Sequence, residues 1–218
     1  MTDSDPLIEP TPELPGDGEL AAEPGEPTRL TEAQAAILAV YGWTDRVADG
    51  IGVWVSVDEQ RMRIIQNGKV LWDEVCATAE NGTGSAAGSN QTPLGWHSVA
   101  EKIGEGAALG QVFRSRQRTK EIWRPGDEPD EDLVLTRILW LSGEEPGKNK
   151  GGNVDSYLRY IYIHGTNQED RLGTPSSHGC VRLSNEDVIQ AFQMIPPGTQ
   201  VLITEQVNDQ NDVNEESN

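Results

Sequence analysis

The chain is poor in cysteine, in positive charge and in long apolar runs, and each shortage removes a class of protein. Two cysteines among 218 residues cannot build a disulfide framework. No stretch approaches the ~20 continuous apolar residues that a membrane-crossing helix needs, so no transmembrane segment is expected. Lys and Arg number 17 against 36 Asp and Glu, a formal net charge of -19. Such a field repels phosphates, so nucleic acid is not an expected partner. The acids gather in the two ends of the chain, where they serve solubility. The first residues, Met1 to Pro6, offer neither a positive n-region nor an apolar h-region, so no signal peptide is visible. Cys-x-x-Cys and His-Glu-x-x-His spacings are also missing, which leaves zinc without its usual patterns, and neither a metal nor a cofactor is expected.

What is present supports one core. A hydrophobic fraction of 35% is enough for one domain but not two. Residues 1–28, rich in Pro, Glu, Asp and Gly, read as a disordered leader, and residues 206–218, mostly Asn and acid, as a disordered tail. Residues 29–48 read as an N-terminal helix and linker. Thr31 with Gln34 forms a capping box, Gly42 ends the helix, and Ile37, Leu38, Val40 and Tyr41 are its docking face.

Residues 50–205 read as one mostly β domain. Ile51 to Val57 and Arg61 to Gln66 are strands, and Asn67-Gly68 predicts a type I′ hairpin into a strand from Lys69 to Thr78. Cys76 falls in that strand as a packed, inert thiol. Glu80 to Gln91 is loop, and Thr92-Pro-Leu-Gly95 is a turn that leads into the next strand, where His97 is expected to be structural. Arg114, Arg116, Arg118 and Lys120 recur at every second position, which predicts one solvated face of an extended edge strand. After the acidic turn Asp127 to Asp132 comes an apolar strand, Leu133 to Leu141. Ser142 to Asn153, rich in Gly and Lys, is expected to form part of a lid. Ser184 caps a helix through Asp187, with Val188, Ile189, Phe192 and Ile195 inward and Pro196-Pro197-Gly198 as its stop; Thr199 to Thr204 is the closing strand.

Chemistry concentrates between Tyr162 and Leu183, which hold two of the three histidines and one of the two cysteines. A cysteine at its ordinary pKa of ~8.5 is only a few per cent thiolate at neutral pH, so it needs a base to act as a nucleophile. Cys180 has two candidates, His164 at a strand end and His178 on its own turn. Leu172-Gly-Thr-Pro175 brings the chain back so that Ser177 to Cys180 returns beside His164. Gly179 leaves room for a substrate backbone, and the amides of Gly179 and Cys180 are candidate oxyanion donors. Arg182 suits a carboxylate. A helix starting near the cysteine would help to hold a thiolate. A small buried hydrophobe, and a zinc site of His164, His178 and Cys180, are the rival readings. The first does not explain two histidines on a glycine-rich turn, and the second lacks the spacing.

His164-Gly-Thr166, the pair Leu172-Gly173 and Ser177-His-Gly-Cys-Val-Arg-Leu183 together resemble the signature of the L,D-transpeptidase catalytic domain, the YkuD family. The Thr92-Pro-Leu-Gly95 turn and the opening strand, turn and strand ending in Asn67-Gly-Lys69 resemble that domain too. The resemblance implies a β-sandwich of mixed sheets with one or two helices. It further implies that Cys180 is acylated by a peptidoglycan stem tetrapeptide with release of D-alanine, and that the acyl group passes to an amine, forming a cross-link. His164 is then the base, Gly165 orients it through its carbonyl, His178 is a catalytic member, and Ser177, Gly179 and Arg182 bind substrate. Carbapenem-type β-lactams are implied as inhibitors and the cell envelope as the location, although the missing signal leaves a cytoplasmic location open. An L,D-carboxypeptidase-type hydrolase of the same stem and a non-catalytic cell-wall binding module are the alternatives.

Overall fold

A computed structural model describes residues 26–205 apart from 49, 128 and 130. The expected disordered tail and all but the last three residues of the expected leader lie outside the described residues.

The strands in chain order are β1 (Thr28–Arg29), β2 (Ile51–Ser56), β3 (Arg61–Gln66), β4 (Lys69–Val75), β5 (Gly95–Ile103), β6 (Gln111–Arg114), β7 (Gln117–Ile122), β8 (Val134–Gly143), β9 (Tyr162–Gly165), β10 (Val181–Leu183) and β11 (Gln200–Thr204). The helices are α1 (Glu32–Val40), α2 (Trp43–Val47) and α3 (Asn185–Met194). The main hydrogen-bonded path runs β1-β4-β3-β2-β11-β5-β8-β6-β7, and β9 branches from β8 and carries β10. Two pairings, β11 with β2 and β10 with β9, are parallel and the rest antiparallel, so the sheet is mixed as expected.

The sheet folds over itself, which is why it forms a sandwich. Val53 and Val55 of β2, Ile64 of β3 and Val201 and Ile203 of β11 meet Leu139 and Leu141 of β8, Ile163 of β9 and Val181 and Leu183 of β10 in one core, closed by Val188, Ala191 and Phe192 of α3. The intervening residues Trp54, Ile65 and Leu202 face the other way, into a second cluster with Leu38, Trp43, Val47 and Trp96. Burial on both faces explains why Ile51 to Val57 alternates so poorly in sequence. Gly52 is required by that second layer, because a Cβ there would lie 2.7 Å from the Trp43 ring.

Local signals act as read at several points. Both halves of the Thr31 and Gln34 capping box form. Asn67 and Gly68 take φ of 51° and 69°, the pair of positive values that a type I′ turn needs. The Ser184 side chain accepts from the Asp187 amide and starts α3.

The structure corrects other expectations. Three helices are present among the described residues where one or two were expected, because Gly42 at φ 67° turns the chain directly into α2. Thr28 and Arg29, at the border of the expected leader, pair with Val70 and Lys69. Val40 does not dock α1: it is 83% exposed, and the burial falls to Leu38, with Ile37 and Tyr41 beside it. The alternating cations do not share one strand face. Ser115 and Arg116 take φ of 49° and 68° and turn the chain from β6 into β7, so the period-two spacing spans a hairpin. Arg118 and Lys120 do lie on the terminal strand of the path.

Candidate active site

The site is built on the parallel pair β9 and β10, whose register sets Val181 beside Ile163 and Arg182 beside His164. Side chains alternate across a strand. Ile163, Val181 and Leu183 point into the main core. Tyr162 and Cys180 therefore take the opposite face, where both join the Trp140 cluster, and His164 and Arg182 follow on that same face. The thiol and the imidazole thus lie on one side of neighbouring strands.

His164 is 2% exposed, and its Nδ1 lies 2.8 Å from the carbonyl of Gly165. A carbonyl can only accept, so Nδ1 carries the proton and Nε2 keeps its lone pair. Among the described residues Nε2 has no protein partner. Burial lowers the pKa of His164 below its usual value, while the Asp132 charge and the Gly165 carbonyl pull it upward. The imidazole is held neutral and ready to accept.

Cys180 is partly exposed. Its Sγ sits 3.4 Å from the Tyr162 amide, which donates to it, and 3.4 Å from the Tyr160 carbonyl, to which it donates. Desolvation pushes the thiol up to about 11, against the smaller opposing effect of the Tyr162 amide. The expected help from a helix N-terminus is absent, because β10 stands between Cys180 and the first residue of α3 at Asn185. Burial thus favours the neutral thiol over the thiolate.

The turn before the cysteine is cross-braced. Ser177 Oγ accepts from the Gly179 amide at 3.1 Å and donates to the Cys180 carbonyl at 2.6 Å, and the Ser176 and Ser177 amides both donate to the Thr78 carbonyl. Gly179 has φ 126°, and a Cβ there would meet the Gln91 carbonyl at 3.2 Å and Ile161 Cδ1 at 3.3 Å. Two expectations change as a result. The Gly179 amide is already bonded within the turn, so it is not a free oxyanion donor. Ser177 is buried and acts as a brace, with its hydroxyl committed to the loop.

Arg182 is similarly internal. It is 1% exposed, pairs with Asp132 at 2.9 Å and donates to Gln168 Oε1 at 2.8 Å and the Ser176 carbonyl at 2.6 Å. Its carboxylate partner is the protein's own Asp132, and among the described residues its Nε alone has no partner. His178 points outward with its side chain 70% exposed, and its Nδ1 lies 3.4 Å from Oδ2 of the same Asp132.

Several residues of the site carry little signal in the sequence. Thr92 is fully buried; its Oγ1 donates to the Gly179 carbonyl at 3.1 Å and accepts from the Ala79 amide at 3.0 Å. Only the Thr-Pro-x-Gly pattern hinted at it. Arg159 donates to the carbonyls of Gly84 and Gln91 and places a cation near Cys180. Asp132 arrives from what reads as a plain acidic turn. Tyr157 stacks on Trp140 at 4.0 Å, and Arg116 lies 4.8 Å from both the Trp140 and Tyr160 rings and bonds the Tyr162 hydroxyl. Tyr160, 51% exposed, and Leu158 add apolar surface to the loop that reaches the thiol.

The segment expected as a lid, 142–153, is tied down elsewhere. Buried Asn149 donates to the Leu94 and Trp96 carbonyls, and Glu145 accepts from the Trp96 amide, so this part grips the start of β5. The residues that border the thiol come later, at Tyr157 to Tyr160. His97 lies buried on β5, with Nδ1 3.0 Å from the Gly95 carbonyl and Nε2 3.0 Å from Ser156 Oγ, a structural histidine as expected. Cys76 is fully buried, and desolvation pushes its thiol to about 12. Among the described residues no group of three or more His, Cys, Asp or Glu could hold a metal ion, and no helix is long and apolar enough to cross a membrane.

A family model described as the L,D-transpeptidase catalytic domain matches residues 51–203. Bacillus subtilis YqjB, which carries an L,D-transpeptidase name, is 54% identical over 47 residues, covering 22% of this chain and 27% of its own. Escherichia coli K12 YbiS, named for the same activity, is 45% identical over 111 residues, or 50% of this chain and 32% of its own. Salmonella typhimurium ErfK/SrfK, again so named, is 41% identical over 121 residues, or 55% and 35%. The chain thus spans between 27% and 35% of the length of these relatives. A crystal structure of L,D-transpeptidase 3 from Mycobacterium tuberculosis with a faropenem-derived adduct aligns with 17% identity and a TM-score of 0.46, over 72% of this chain and 61% of that one.

Proposed function

The chain belongs to the L,D-transpeptidase catalytic-domain family, and from that premise we propose that it is a peptidoglycan L,D-transpeptidase, a cysteine acyltransferase acting in cell-wall cross-linking and remodelling. The observation that carries this reading is the shared face of β9 and β10, with a thiol on the residue just before β10 and, on β9, an imidazole whose Nδ1 is already bonded to Gly165.

Cys180 is the nucleophile and His164 its base. The thiol leaves the Tyr160 carbonyl and gives its proton to His164 Nε2. The sulfur attacks the carbonyl that joins the third residue of a stem tetrapeptide to its terminal D-alanine. The C–N bond breaks, the proton taken by His164 passes to the departing nitrogen, and a thioester remains. An amine acceptor then attacks the thioester and restores the thiol. Gly165 fixes the base, and Gly179, held from below by Thr92, gives the donor backbone room. Ser177 and Arg182 contribute from beneath by keeping the turn rigid, and His178 lines the solvent side. The apolar residues Leu158, Tyr160 and Tyr162 favour transfer over hydrolysis by limiting water at the thioester.

In this reading residues 50–205 form the catalytic domain and residues 29–48 a helix and linker docked on it. The family is cell-wall associated, and the cell envelope is the proposed place of action. Carbapenem-type β-lactams are proposed to acylate the same sulfur. Intact-mass measurement after incubation with a carbapenem tests the nucleophile: one adduct on the wild type and none on Cys180→Ala is expected, and an adduct on both overturns the assignment. Incubation with muropeptides and a separate amine then separates cross-linked product from simple loss of D-alanine.

A further inference from the structure

The acceptor poses a problem that one buried base does not solve. A side-chain amine has a pKa of ~10.4, so at neutral pH it arrives as an ammonium with no lone pair to attack with. It must lose one proton before it becomes a nucleophile and a second as the amide forms. His164, 2% exposed and on the face of β9 that the thiol shares, is placed for the second proton only.

His178 has the complementary surroundings. Its side chain is 70% exposed, on the solvent side of the turn that carries Cys180, and Gly179, whose carbonyl is held by Thr92, fixes the offset between the two. Nδ1 of His178 faces Asp132 Oδ2 at 3.4 Å, and that oxygen is anchored from the buried side by Arg182 Nη2 at 2.9 Å. Arg182 is itself bonded to Gln168 and Ser176. A carboxylate at Nδ1 fixes the tautomer that leaves Nε2 as an acceptor on the open side. A hydrogen-bonded carboxylate and imidazole two residues before Cys180, on its own turn, is more than loop bracing requires, since Arg182 already neutralises Asp132.

We propose that Asp132 and His178 form a second, solvent-side proton-accepting pair, which strips the acceptor ammonium before it attacks the thioester. This rests on the acyl-transfer reading above and takes the amine acceptor from it. His178 Nε2 takes one proton from the ammonium and releases it to solvent. The freed nitrogen forms a bond to the thioester carbon, the C–S bond breaks, and the electron pair returns to sulfur. The remaining excess proton on nitrogen passes through His164 to that sulfur. The sum is ammonium plus thioester giving amide, thiol and one proton. Asp132 is a positioning residue in this scheme, acting through His178.

The test compares single-turnover steps at pH 7 in wild type, His178→Gln and Asp132→Asn. Acylation of Cys180 by a stem tetrapeptide is followed by intact mass, and the acyl-enzyme is then resolved either by a lysine-type ammonium acceptor or by hydroxylamine, which is neutral at that pH. Resolution by the ammonium acceptor is expected to fall about 100-fold further than acylation in His178→Gln and about tenfold further in Asp132→Asn, with hydroxylamine restoring most of the loss. Equal losses in acylation and resolution, or equal losses with both acceptors, overturn the proposal. His178 is exposed, so His178→Gln carries the test by itself should loss of the Arg182 partner prevent Asp132→Asn from folding. A wild type that never acylates at Cys180 marks failure of the acyl-transfer reading, a result seen at the first step and distinct from any acceptor effect.

Discussion

His97 on β5 and His164 on β9 begin alike and end with different capacities. Both are buried, both are pushed down in pKa by desolvation, and both set Nδ1 against a nearby glycine carbonyl. They differ at the other nitrogen. Nε2 of His97 is taken by Ser156 Oγ, whereas Nε2 of His164 is left open on the face that carries the thiol. Burial and a lowered pKa therefore do not make a buried imidazole a base. The base proposed for Cys180 differs in keeping, among the described residues, one nitrogen without a partner.

Substituting the two histidines should break the symmetry most plainly. His164→Ala is expected to slow carbapenem acylation by about 100- to 10,000-fold, the usual range for loss of a general base, measured by intact mass against time. His97→Asn should leave the rate for folded protein nearly unchanged and appear instead in stability and its pH dependence. His97 falls from the usual 6.5 to about 4 on folding, so protonation favours the unfolded chain. Its contribution is complete above pH 6.5 and is lost as pH falls through the window down to about 4, reaching about 3 kcal/mol at the full shift. Urea unfolding at pH 7 and pH 4.5 should show a smaller drop in His97→Asn than in wild type. An equal drop would assign the acid sensitivity elsewhere, with His164, shifted in the same direction, the next group to examine.

Local chemistry explains what the sequence disclosed. The Thr31 capping box, the Asn67-Gly68 turn and the Ser184 cap each act within a few residues, so their signals survive without tertiary context. Residue type and order singled out Cys180 and offered His164 and His178 as its candidate bases, while the part given to Gly165 came only with the family resemblance. What depends on distant pairing was not legible. Arg182 reads as an open cation until the turn before β8 delivers Asp132 to it, and the Gly179 amide reads as an oxyanion donor until Ser177 turns back onto it. The spacing of Arg114 to Lys120 suits a strand equally well whether or not Ser115 and Arg116 enter the left-handed region midway. The absence of helical help for Cys180 follows from three intervening β residues, Val181–Leu183, that the core demanded.

The support beneath the thiol offers a middle-sized effect. Thr92→Val keeps the shape but removes both the donor to Gly179 and the acceptor for Ala79. A loss of about 1–3 kcal/mol is expected for two buried backbone groups left unpaired, together with slower acylation as the Gly179 turn loosens. Thermal unfolding and acylation rates report the two parts separately. A stability loss without any change in rate would show that the turn holds the sulfur in place without Thr92.

Ser156→Ala makes the smallest change and the sharpest test of the comparison. It removes the partner of His97 Nε2 without touching the imidazole, so that His97 then matches His164 in having Nδ1 bonded and Nε2 free. The expected loss is about 1 kcal/mol, the net worth of one buried hydrogen bond, read from the urea midpoint at unchanged slope. No second carbapenem adduct should form, even so, because Cys76 is sealed in the main core with its thiol at about 12. An adduct on Cys76 in Ser156→Ala combined with Cys180→Ala would mean that a free nitrogen activates a thiol without the shared strand face. A silent double variant shows that the open nitrogen works only where β9 and β10 set a sulfur beside it.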